Sequence, residues 1–452
     1  MSNLCPLDFR YGRAEMKRVF DEDSRLLFQM QVEAALARAH AFLGNIPNEA
    51  AETISAIADL DHVKISRVKE IERDTKHDLM ALVKAMTEAS GDAGRYVHLG
   101  ATSNDIVDTA TALQIKSALG IIRADVDELI LTLAKLAKRE RDTLEVGRTH
   151  AQFAIPITFG FKIAGYLAEM LRHRERLEQV EKRAAVGKMA GAVGTGAALG
   201  AHFFQIQEKV MEDLGLGYEP AATQVVGRDR YTELICLLAN IATSLDRYGT
   251  EVRNLQRSEL SEAMEAFDVT KQVGSSTMAQ KKNPITSENV CGLARIVRGF
   301  VIPTFESQVL WHERDLSNSS AERFVLPHVF VLLDDMLHKM IDVFSHLSVD
   351  RKRMIHNIEQ AKGMIMAEPV MMALAAKGLG RQEAHELVRE ASMVAARDGL
   401  HLQDALLASP VRDILSDKEI WEAMDPAGYV GGAPEIVDRL VLEASRTLGI
   451  NI

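Results

Sequence analysis

Apolar residues recur along this chain at the spacing of long α-helices. Intervals of 4, 3, 4 and 3 positions separate Ile122, Val126, Leu129, Leu133 and Leu136. The same spacing continues for three heptads through Leu234, Leu238, Ile241, Leu245, Tyr248, Val252 and Leu255. A period near 3.5 sustained this far predicts helices that cross at shallow angles in a bundle. No alternation of period two extends over a comparable length, so the pattern predicts an all-α protein.

A third long helix is predicted from Phe161 to about Ala185, with its charged residues on a solvated face. No proline lies between Pro47 and Pro156, and long intervals without proline permit long helices. Shifts in composition predict three domains. They are an N-terminal helical domain over 1–100, a central long-helix bundle over 101–347 and a C-terminal helical domain over 348–452.

Glycines are concentrated just after the third helix, at positions 187, 191, 194, 196 and 200. Their density resembles that of a phosphate-binding loop. A phosphate loop, however, follows a strand and ends in Gly-Lys-Ser/Thr, and neither feature accompanies this run. We therefore expect a tight connection in which two backbones approach closely.

The composition excludes several classes of protein. The chain has 452 residues, of which 47% are hydrophobic and 26% charged, which is typical of a folded protein. A net charge of -11 argues against nucleic-acid and membrane partners. The three cysteines have no metal-ligand spacing and the histidines are far apart, so we predict no metal and no other cofactor. With no signal peptide and no run long enough to span a bilayer, the cytoplasm is the expected location.

The most informative polar stretch runs from Gly274 to Pro284. It combines a glycine and two serines with Lys281, Lys282 and Asn283, and Glu288 follows where a helix is predicted. Such a stretch cannot build a core, but it offers hydrogen-bond donors and positive charge to an anion. Taken alone, a solvated basic turn is the commoner interpretation.

Four other clusters share this polar character and change that interpretation. They lie at 75–78, 98–105, 147–152 and 312–323. Each has an ordinary explanation by itself, since 102–105 is a good helix N-cap and the arginines of the last cluster have acidic neighbours. Together they favour one pocket for a substrate that carries several carboxylates or phosphates and undergoes proton transfer.

The stretch from Gly274 to Glu288 resembles the signature loop of the fumarase/aspartase superfamily. Within it, the chain is most similar to the adenylosuccinate lyase family, particularly its archaeal members, through 8–12, 96–105, 311–315 and 319–323. The resemblance implies a three-domain all-α fold with a central bundle of long helices. It also implies a homotetramer in which three subunits share each site, and heptad stripes this long do favour helix pairing between chains.

The resemblance implies a role for each residue of the catalytic set. Ser275 would be the general base that removes the proton beside a substrate carboxylate. His150 would be the general acid that protonates the leaving nitrogen, oriented by Glu288. Lys281 and Asn283 would stabilise the dianionic carboxylate of the intermediate. The products would be fumarate and AMP, with a parallel reaction on the succinylated aminoimidazole carboxamide ribotide of purine synthesis.

A larger set is implied to bind the nucleotide substrate. The succinyl carboxylates would be held by Thr102, Ser103, Thr149 and Gln224, with Asn104 and Asp105 beside them. His77 and His98 would line the phosphate and acid-transfer side. The nucleotide and its phosphate would be held by Arg10, Tyr11, Arg314, Ser319 and Arg323.

Two alternatives stay open at this point. Gln280 and Phe153 depart from the adenylosuccinate lyase pattern, and 280–283 reads like argininosuccinate lyase, so a lyase for argininosuccinate or another N-succinyl amine is the second hypothesis. A helical assembly protein without activity is the third. A Ser–His–acid hydrolase would also use Ser275, His150 and Glu288, but the chain has no Gly-x-Ser-x-Gly elbow.

Overall fold

The computed structural model describes residues 4–267, 277–278 and 280–452. Short and medium helices occupy the first hundred residues: α1 (Pro6–Phe9), α2 (Ala14–Phe20), α3 (Glu22–Phe42), α4 (Asn48–Ala56), α5 (Ile65–Thr75) and α6 (Asp78–Ala89). The Asp21 carboxylate begins α3 by accepting the Ser24 amide at 2.8 Å, which satisfies one of the free donors of the first turn.

Long helices form the middle of the chain. They are α7 (Ser103–Arg139), α8 (Phe159–Ala184), α9 (Phe203–Leu214), α10 (Asp229–Leu255), α11 (Ile285–Gly299), α12 (Val301–Gln308) and α13 (Ser317–Ser345). Every residue of the two predicted heptad stripes is at most 3% exposed. Burying each such side chain stabilises the fold by about 1.5–3 kcal/mol. The all-α class, the central long helices and the third predicted helix are confirmed.

Shorter helices follow to the end of the chain: α14 (Arg351–Gln360), α15 (Ala367–Ala376), α16 (Arg381–Asp398), α17 (Leu402–Leu407), α18 (Asp417–Ala423) and α19 (Ala433–Leu448). Strands are few and short in the described residues: β1 (Leu144–Thr149), β2 (Gln152–Thr158), β3 (Val186–Gly187), β4 (Gly217–Tyr218), β5 (Ala263–Met264) and β6 (Ser348–Val349). No described helix has both the length and the apolar character needed to cross a lipid bilayer.

The chain forms two compact units, and each takes three separate segments of sequence. Unit 1 contains the chain up to Val126, His173–Leu245 and Gly292–His338. Unit 2 contains Asp127–Arg172, Asp246–Cys291 and Lys339–Ile452. The predicted domain boundaries at residues 100 and 348 are a different division of the chain and stay a prediction.

Each unit has its own apolar core. In unit 1, side chains of α3, α6 and α9 such as Met30, Leu82 and Ile206 pack together with no exposed surface. In unit 2, Val146 of β1 packs into a cluster formed by the C-terminal helices, which includes Val370. The C-terminal core of unit 2 therefore holds the β1–β2 hairpin in place.

The antiparallel β1–β2 hairpin was not predicted. Pro156 lies in β2, although proline cannot donate to a strand ladder. In the structure it pairs with Val146, and the register shifts between Val146 and Arg148. Gly147 lies at this irregularity, where a Cβ would come within 2.7 Å of the Ile155 carbonyl oxygen. The irregular pairing explains why no period-two pattern was visible.

The glycine-rich connection after α8 is as tight as predicted. Gly194 has a φ of +89°, a backbone conformation that L side chains rarely adopt. A Cβ at this position would lie 1.9 Å from the carbonyl oxygen of Ala222. The close backbone approach confirms the structural interpretation of this segment.

Candidate active site

Unit 1 contains a cavity of about 660 Å³, which we call cavity A. Its wall comes from α2, α3, the α5–α6 junction, the first turns of α7 and α13 and the residue just before α10. Sequence-predicted residues from three distant segments line it: His77, Ser103, Asn104, Arg314, Ser319 and Arg323. The structure thus brings together six of the thirteen residues predicted to bind substrate. A volume of this size is typical of small-molecule sites.

Asp78 connects two cations on the wall of cavity A. Its carboxylate accepts a hydrogen bond from Arg323 Nη2 at 2.9 Å and lies 3.8 Å from Arg25 Nη1. Burial alone would raise the pKa of Asp78, but the Leu79 amide and the two guanidinium charges outweigh it and lower the pKa. Asp78 therefore stays ionised and holds Arg323 at the cavity.

His77 caps α6 next to this carboxylate. Its Nδ1 accepts the Met80 amide at 3.3 Å, so the ring is held at the helix start. This leaves Nε2 as the nitrogen that can donate to a ligand.

His98 lies elsewhere in unit 1 and is not among the residues that line cavity A. Its Nδ1 is 2.6 Å from Glu33 Oε1, and its amide donates to Glu33 Oε2 at 3.0 Å. Burial would lower the pKa of His98, but the hydrogen bond and charge of Glu33, with the charge of Asp105, raise it. The fully buried Glu33 was not predicted from sequence and favours the protonated imidazole.

Asp105, for which substrate binding is predicted, is held by contacts within the chain. The residue is 0% exposed, and its carboxylate pairs with the buried ammonium group of Lys188. It also accepts the amides of Thr102 at 2.8 Å, Ala190 at 2.9 Å and Gly191 at 3.0 Å. With its oxygens occupied, Asp105 fixes the start of α7 and presents the preceding Ser103 and Asn104 to cavity A.

Gln224 is next to Arg314, as the prediction of a common site requires. Its Oε1 accepts a hydrogen bond from Arg314 Nη1 at 2.8 Å, and its Nε2 donates to the Ala192 carbonyl at 3.0 Å. Arg10 and Tyr11 follow α1 and are not among the residues that line cavity A. The structure therefore does not place these two residues with the others.

Unit 2 contains a second cavity of about 680 Å³, which we call cavity B. Its wall combines the end of α10 with the chain just before α11 and includes Lys281, Asn283 and Glu288. Arg253, Arg257 and Lys282 add positive charge to the same wall. Ser275 lies outside the described residues, so its predicted place beside this set is not described.

Glu265 supports the wall of cavity B and was not predicted. Its carboxylate accepts the amide of Ser287 at 2.6 Å and that of Thr286 at 3.2 Å. These are free donors in the first turn of α11, where a negative charge is stabilising. Glu265 therefore fixes the helix start that carries Glu288.

His150 forms the tip of the β1–β2 hairpin and is exposed. His150 has a φ of +53° and Ala151 a φ of +60°, so both adopt the left-handed conformation of a tight two-residue turn. Asn and Gly normally occupy these positions, and other residues there carry strain that is often found at functional sites. His150 and Thr149, which precedes it, are not among the residues that line cavity B.

A buried ion network anchors β1 of this hairpin, from Glu145 near its base to Arg148 next to its tip. Arg148 donates through both terminal nitrogens to Glu262, at 2.8 and 2.7 Å, and Asn357 donates to the same carboxylate at 2.8 Å. Lys162 lies 2.7 Å from Glu145 and 2.6 Å from Glu251. Burial raises the pKa of Glu145 to about 7, with the charge of Glu262 adding to the effect and that of Lys162 opposing it.

One cluster in the described residues combines side chains that commonly bind metals. Ligand atoms of Asp125, Asp334 and His338 lie within 4.8 Å of one another. The Arg13 guanidinium, however, already donates to both carboxylates, with Nε 3.1 Å from Asp334 and Nη2 3.1 Å from Asp125. A cation is therefore supplied by the chain itself, and the cluster ties the N-terminal segment to α7 and α13.

Comparison with known proteins identifies the family. A family model described as lyase matches residues 9–299, and one described as the adenylosuccinate lyase C-terminus matches residues 363–440. Adenylosuccinate lyase of Pyrococcus abyssi is 51% identical over 96% of this chain and 97% of its own length. The chain belongs to the adenylosuccinate lyase family. The relative from Methanothermobacter thermautotrophicus is 45% identical over 98% of this chain and 100% of its own length.

These comparisons confirm the predicted family and the class of enzyme, a carbon–nitrogen lyase. A solved structure shares the fold: the 3-carboxy-cis,cis-muconate lactonizing enzyme of Pseudomonas putida aligns with a TM-score of 0.88 and 33% identity. The alignment covers 98% of this chain and 99% of that one. Because that protein is named for a different reaction, the fold alone does not decide the substrate.

Proposed function

We propose that this chain releases fumarate from adenylosuccinate, giving AMP, and from the succinylated aminoimidazole carboxamide ribotide. The observation that carries the proposal is family membership at about half identity over nearly the full length of the relatives. Cavity A supports it, because Arg314 and Arg323 supply two guanidiniums and α13 begins at Ser317 beside Ser319. Guanidiniums and a helix N-terminus are the groups that bind phosphate.

The proposed chemistry is an elimination. Ser275 removes the proton from the carbon beside a succinyl carboxylate, and the electron pair is held on that carboxylate. Lys281 and Asn283 stabilise the resulting dianion, and losing one such donor typically costs about 3–4 kcal/mol of barrier. The electrons then return to form the double bond of fumarate while the carbon–nitrogen bond breaks. His150, oriented by Glu288, protonates the departing nitrogen.

We further propose that copies of the chain assemble as a homotetramer in the cytoplasm and share their sites. His150 stands exposed at a hairpin tip, where a neighbouring copy can receive it. Large apolar side chains are exposed along α11–α13: Ile296, Ile302, Phe305 and Phe324. Exposed apolar surface of this kind marks interaction sites.

A fumarate-release assay tests the function. The purified protein is given adenylosuccinate, the succinylated aminoimidazole carboxamide ribotide and argininosuccinate separately, and fumarate is quantified in each. We expect release from adenylosuccinate. Release from argininosuccinate alone would favour the second candidate, which Gln280 on the wall of cavity B still supports. Absence of release from both purine substrates would overturn the proposal.

Phe153 gives the second candidate less support than its sequence position suggested. The Cζ atom of Arg148 lies 5.4 Å from the centre of the Phe153 ring, which is a cation–π contact. The aromatic side chain therefore packs on the hairpin anchor, which gives it a structural reason to differ from the family pattern.

Subunit exchange tests the shared sites. Ser275→Ala and His150→Ala proteins are each expected to be inactive, and mixing them under conditions that exchange subunits is expected to restore part of the activity. Each mixed assembly would then contain some sites with both residues intact. Continued inactivity after exchange has been verified by mass spectrometry would count against shared sites.

A further inference from the structure

Arg228 lies just before α10, and its side chain is only 5% exposed. It donates to Asp108 through Nη1 at 2.7 Å and through Nη2 at 3.0 Å. It donates to Glu322 through Nε at 2.8 Å and through Nη2 at 3.2 Å. One guanidinium therefore binds two carboxylates with both sides of its planar fork, an arrangement that lysine cannot reproduce.

The three charged residues belong to three separate segments of chain. Asp108 lies one turn beyond Ser103 and Asn104 on α7. Arg228 follows the Gln224 segment, and Glu322 lies on α13 between Ser319 and Arg323. Each segment thus carries a residue proposed to contact the substrate. Arg228 is the point at which the three segments are joined.

Further hydrogen bonds make the junction rigid. Asp108 Oδ2 also accepts the Val226 amide at 2.8 Å, and this hydrogen bond fixes the chain segment that carries Gln224. Glu322 Oε1 also accepts from Asn318 at 2.9 Å, one turn earlier on α13. Hydrogen bonds from several segments to one buried ion pair favour a single arrangement of those segments.

We propose that Arg228, Asp108 and Glu322 form a positioning triad that sets the spacing of the substrate-binding segments around cavity A. The proposal rests on the proposed function of cavity A. The triad acts through its neighbours: it holds Ser103, Gln224 and Ser319 at the distances that one nucleotide spans. Loss of the triad widens cavity A, so nucleotide binding weakens. The proton-transfer residues of unit 2 are not affected.

Glu322→Gln is the test variant, because it removes one charge of the triad and leaves the Arg228–Asp108 pair. Glu181→Gln is the matched control. Glu181 accepts from Arg123 at 3.1 Å within the same unit, and its side chain is 25% exposed against 17% for Glu322. We expect Glu322→Gln to raise the KM for adenylosuccinate and the Kd for AMP about tenfold or more, with kcat within about threefold. Glu181→Gln is expected to leave both constants within about twofold of wild type.

A double-mutant cycle separates positioning from general stability. Ser319→Ala is measured in the wild-type and in the Glu322→Gln background. Residues coupled through one network give non-additive effects, so we expect Ser319→Ala to raise the Kd for AMP less in the variant background than in wild type. Ser319→Ala should have its full effect in the Glu181→Gln background.

The outcomes distinguish this inference from the proposed function. Folded Glu322→Gln protein with wild-type KM and Kd overturns the triad, as does full additivity with Ser319→Ala. If adenylosuccinate is not consumed by wild type, the proposed function fails, while AMP calorimetry still decides the triad. If Glu322→Gln does not fold, Arg228→Lys keeps the charge and loses the fork. The triad requires a raised Kd for AMP in that variant, and an unchanged Kd overturns it.

Discussion

Cavities A and B hold their polar side chains in opposite ways. Around cavity A, the charged groups are paired within the wall, as in Asp78–Arg323 and Asp108–Arg228. Around cavity B, Lys281 and Glu288 are exposed, and elsewhere in unit 2 His150 stands at an exposed hairpin tip. The groups proposed to hold the nucleotide are thus preorganised by ion pairs within the wall, of which Asp108–Arg228 is buried, whereas those proposed for the chemistry are left accessible.

The two regions also differ in the contacts that hold their functional side chains in place. The cavity A side chains are joined to one another directly. His150 depends on the buried Arg148–Glu262 pair, which anchors β1 two residues before the turn. Substitutions in the two regions should therefore have different kinetic effects. Cavity A variants should change substrate binding, and hairpin variants should change kcat.

The largest effect is expected for His150→Gln. Loss of a positioned general acid typically lowers kcat by about 10²–10⁴-fold. The free energy of unfolding should change by less than about 0.5 kcal/mol, because the side chain is exposed. Steady-state kinetics and urea unfolding measure the two quantities. A kcat within tenfold of wild type would remove His150 from the chemistry.

Ala151→Gly is the control on the same turn. A non-glycine residue in a strained conformation costs about 1–3 kcal/mol, and glycine relieves part of this at the φ of +60°. The variant is expected to be at least as stable as wild type and to keep its kcat. Loss of activity in this variant would mean that turn rigidity, and not the imidazole, accounts for the His150 effect.

The second effect concerns the hairpin anchor. Glu262→Gln breaks the buried pair with Arg148 and is expected to lower the free energy of unfolding by about 3–5 kcal/mol. It should also lower kcat, since β1 is no longer fixed next to the turn that carries His150, with less change in the Kd for AMP. Glu259→Gln, which breaks the exposed pair with Arg257, should change neither the free energy of unfolding nor kcat. If Glu262→Gln weakened AMP binding by the same factor as it lowered kcat, the distinction between the two regions would be lost.

The third prediction uses pH. Asp78 has a lowered pKa, so its contribution to stability is present above its unfolded value of 3.8 and is lost as pH falls below it. Glu145 has a pKa raised from 4.5 to about 7, so its contribution is present below pH 4.5 and is lost as pH rises to about 7. The two regions should thus respond to pH with opposite signs.

Urea unfolding of wild type, Asp78→Asn and Glu145→Gln between pH 3 and 8 measures this contrast. Glu145→Gln should remove part of the decline in stability between about pH 4.5 and 7, while Asp78→Asn should remove part of the decline below about pH 4. Parallel curves for wild type and Glu145→Gln across the upper window would show that this carboxyl is not perturbed.

The smallest effect is expected for Phe153→His, which restores the residue usual in the family. Loss of the stacking on Arg148 should lower the free energy of unfolding by about 0.5–1 kcal/mol. Substrate preference between adenylosuccinate and argininosuccinate should not change, because the side chain packs on the anchor. A switch in preference, measured by competing the two substrates, would show that Phe153 helps to determine substrate specificity.

Sequence alone predicted the helical bundle because heptad spacing is a local property that can be read within a few turns. It also named the residue types of the site, and His77, Ser103 and Arg323 do meet at cavity A. It predicted substrate binding for Asp105, whose buried pairing with Lys188 only the tertiary structure shows.

The tertiary structure decided which charges face one another. Nothing in the local pattern pairs Arg228 with Asp108, which lies more than a hundred residues earlier, or with Glu322, which lies almost as far beyond it. The β1–β2 hairpin was equally hidden, since its irregular register removes the alternation that identifies strands. Periodicity is set by neighbours along the chain, whereas ion pairing depends on where folding brings distant segments.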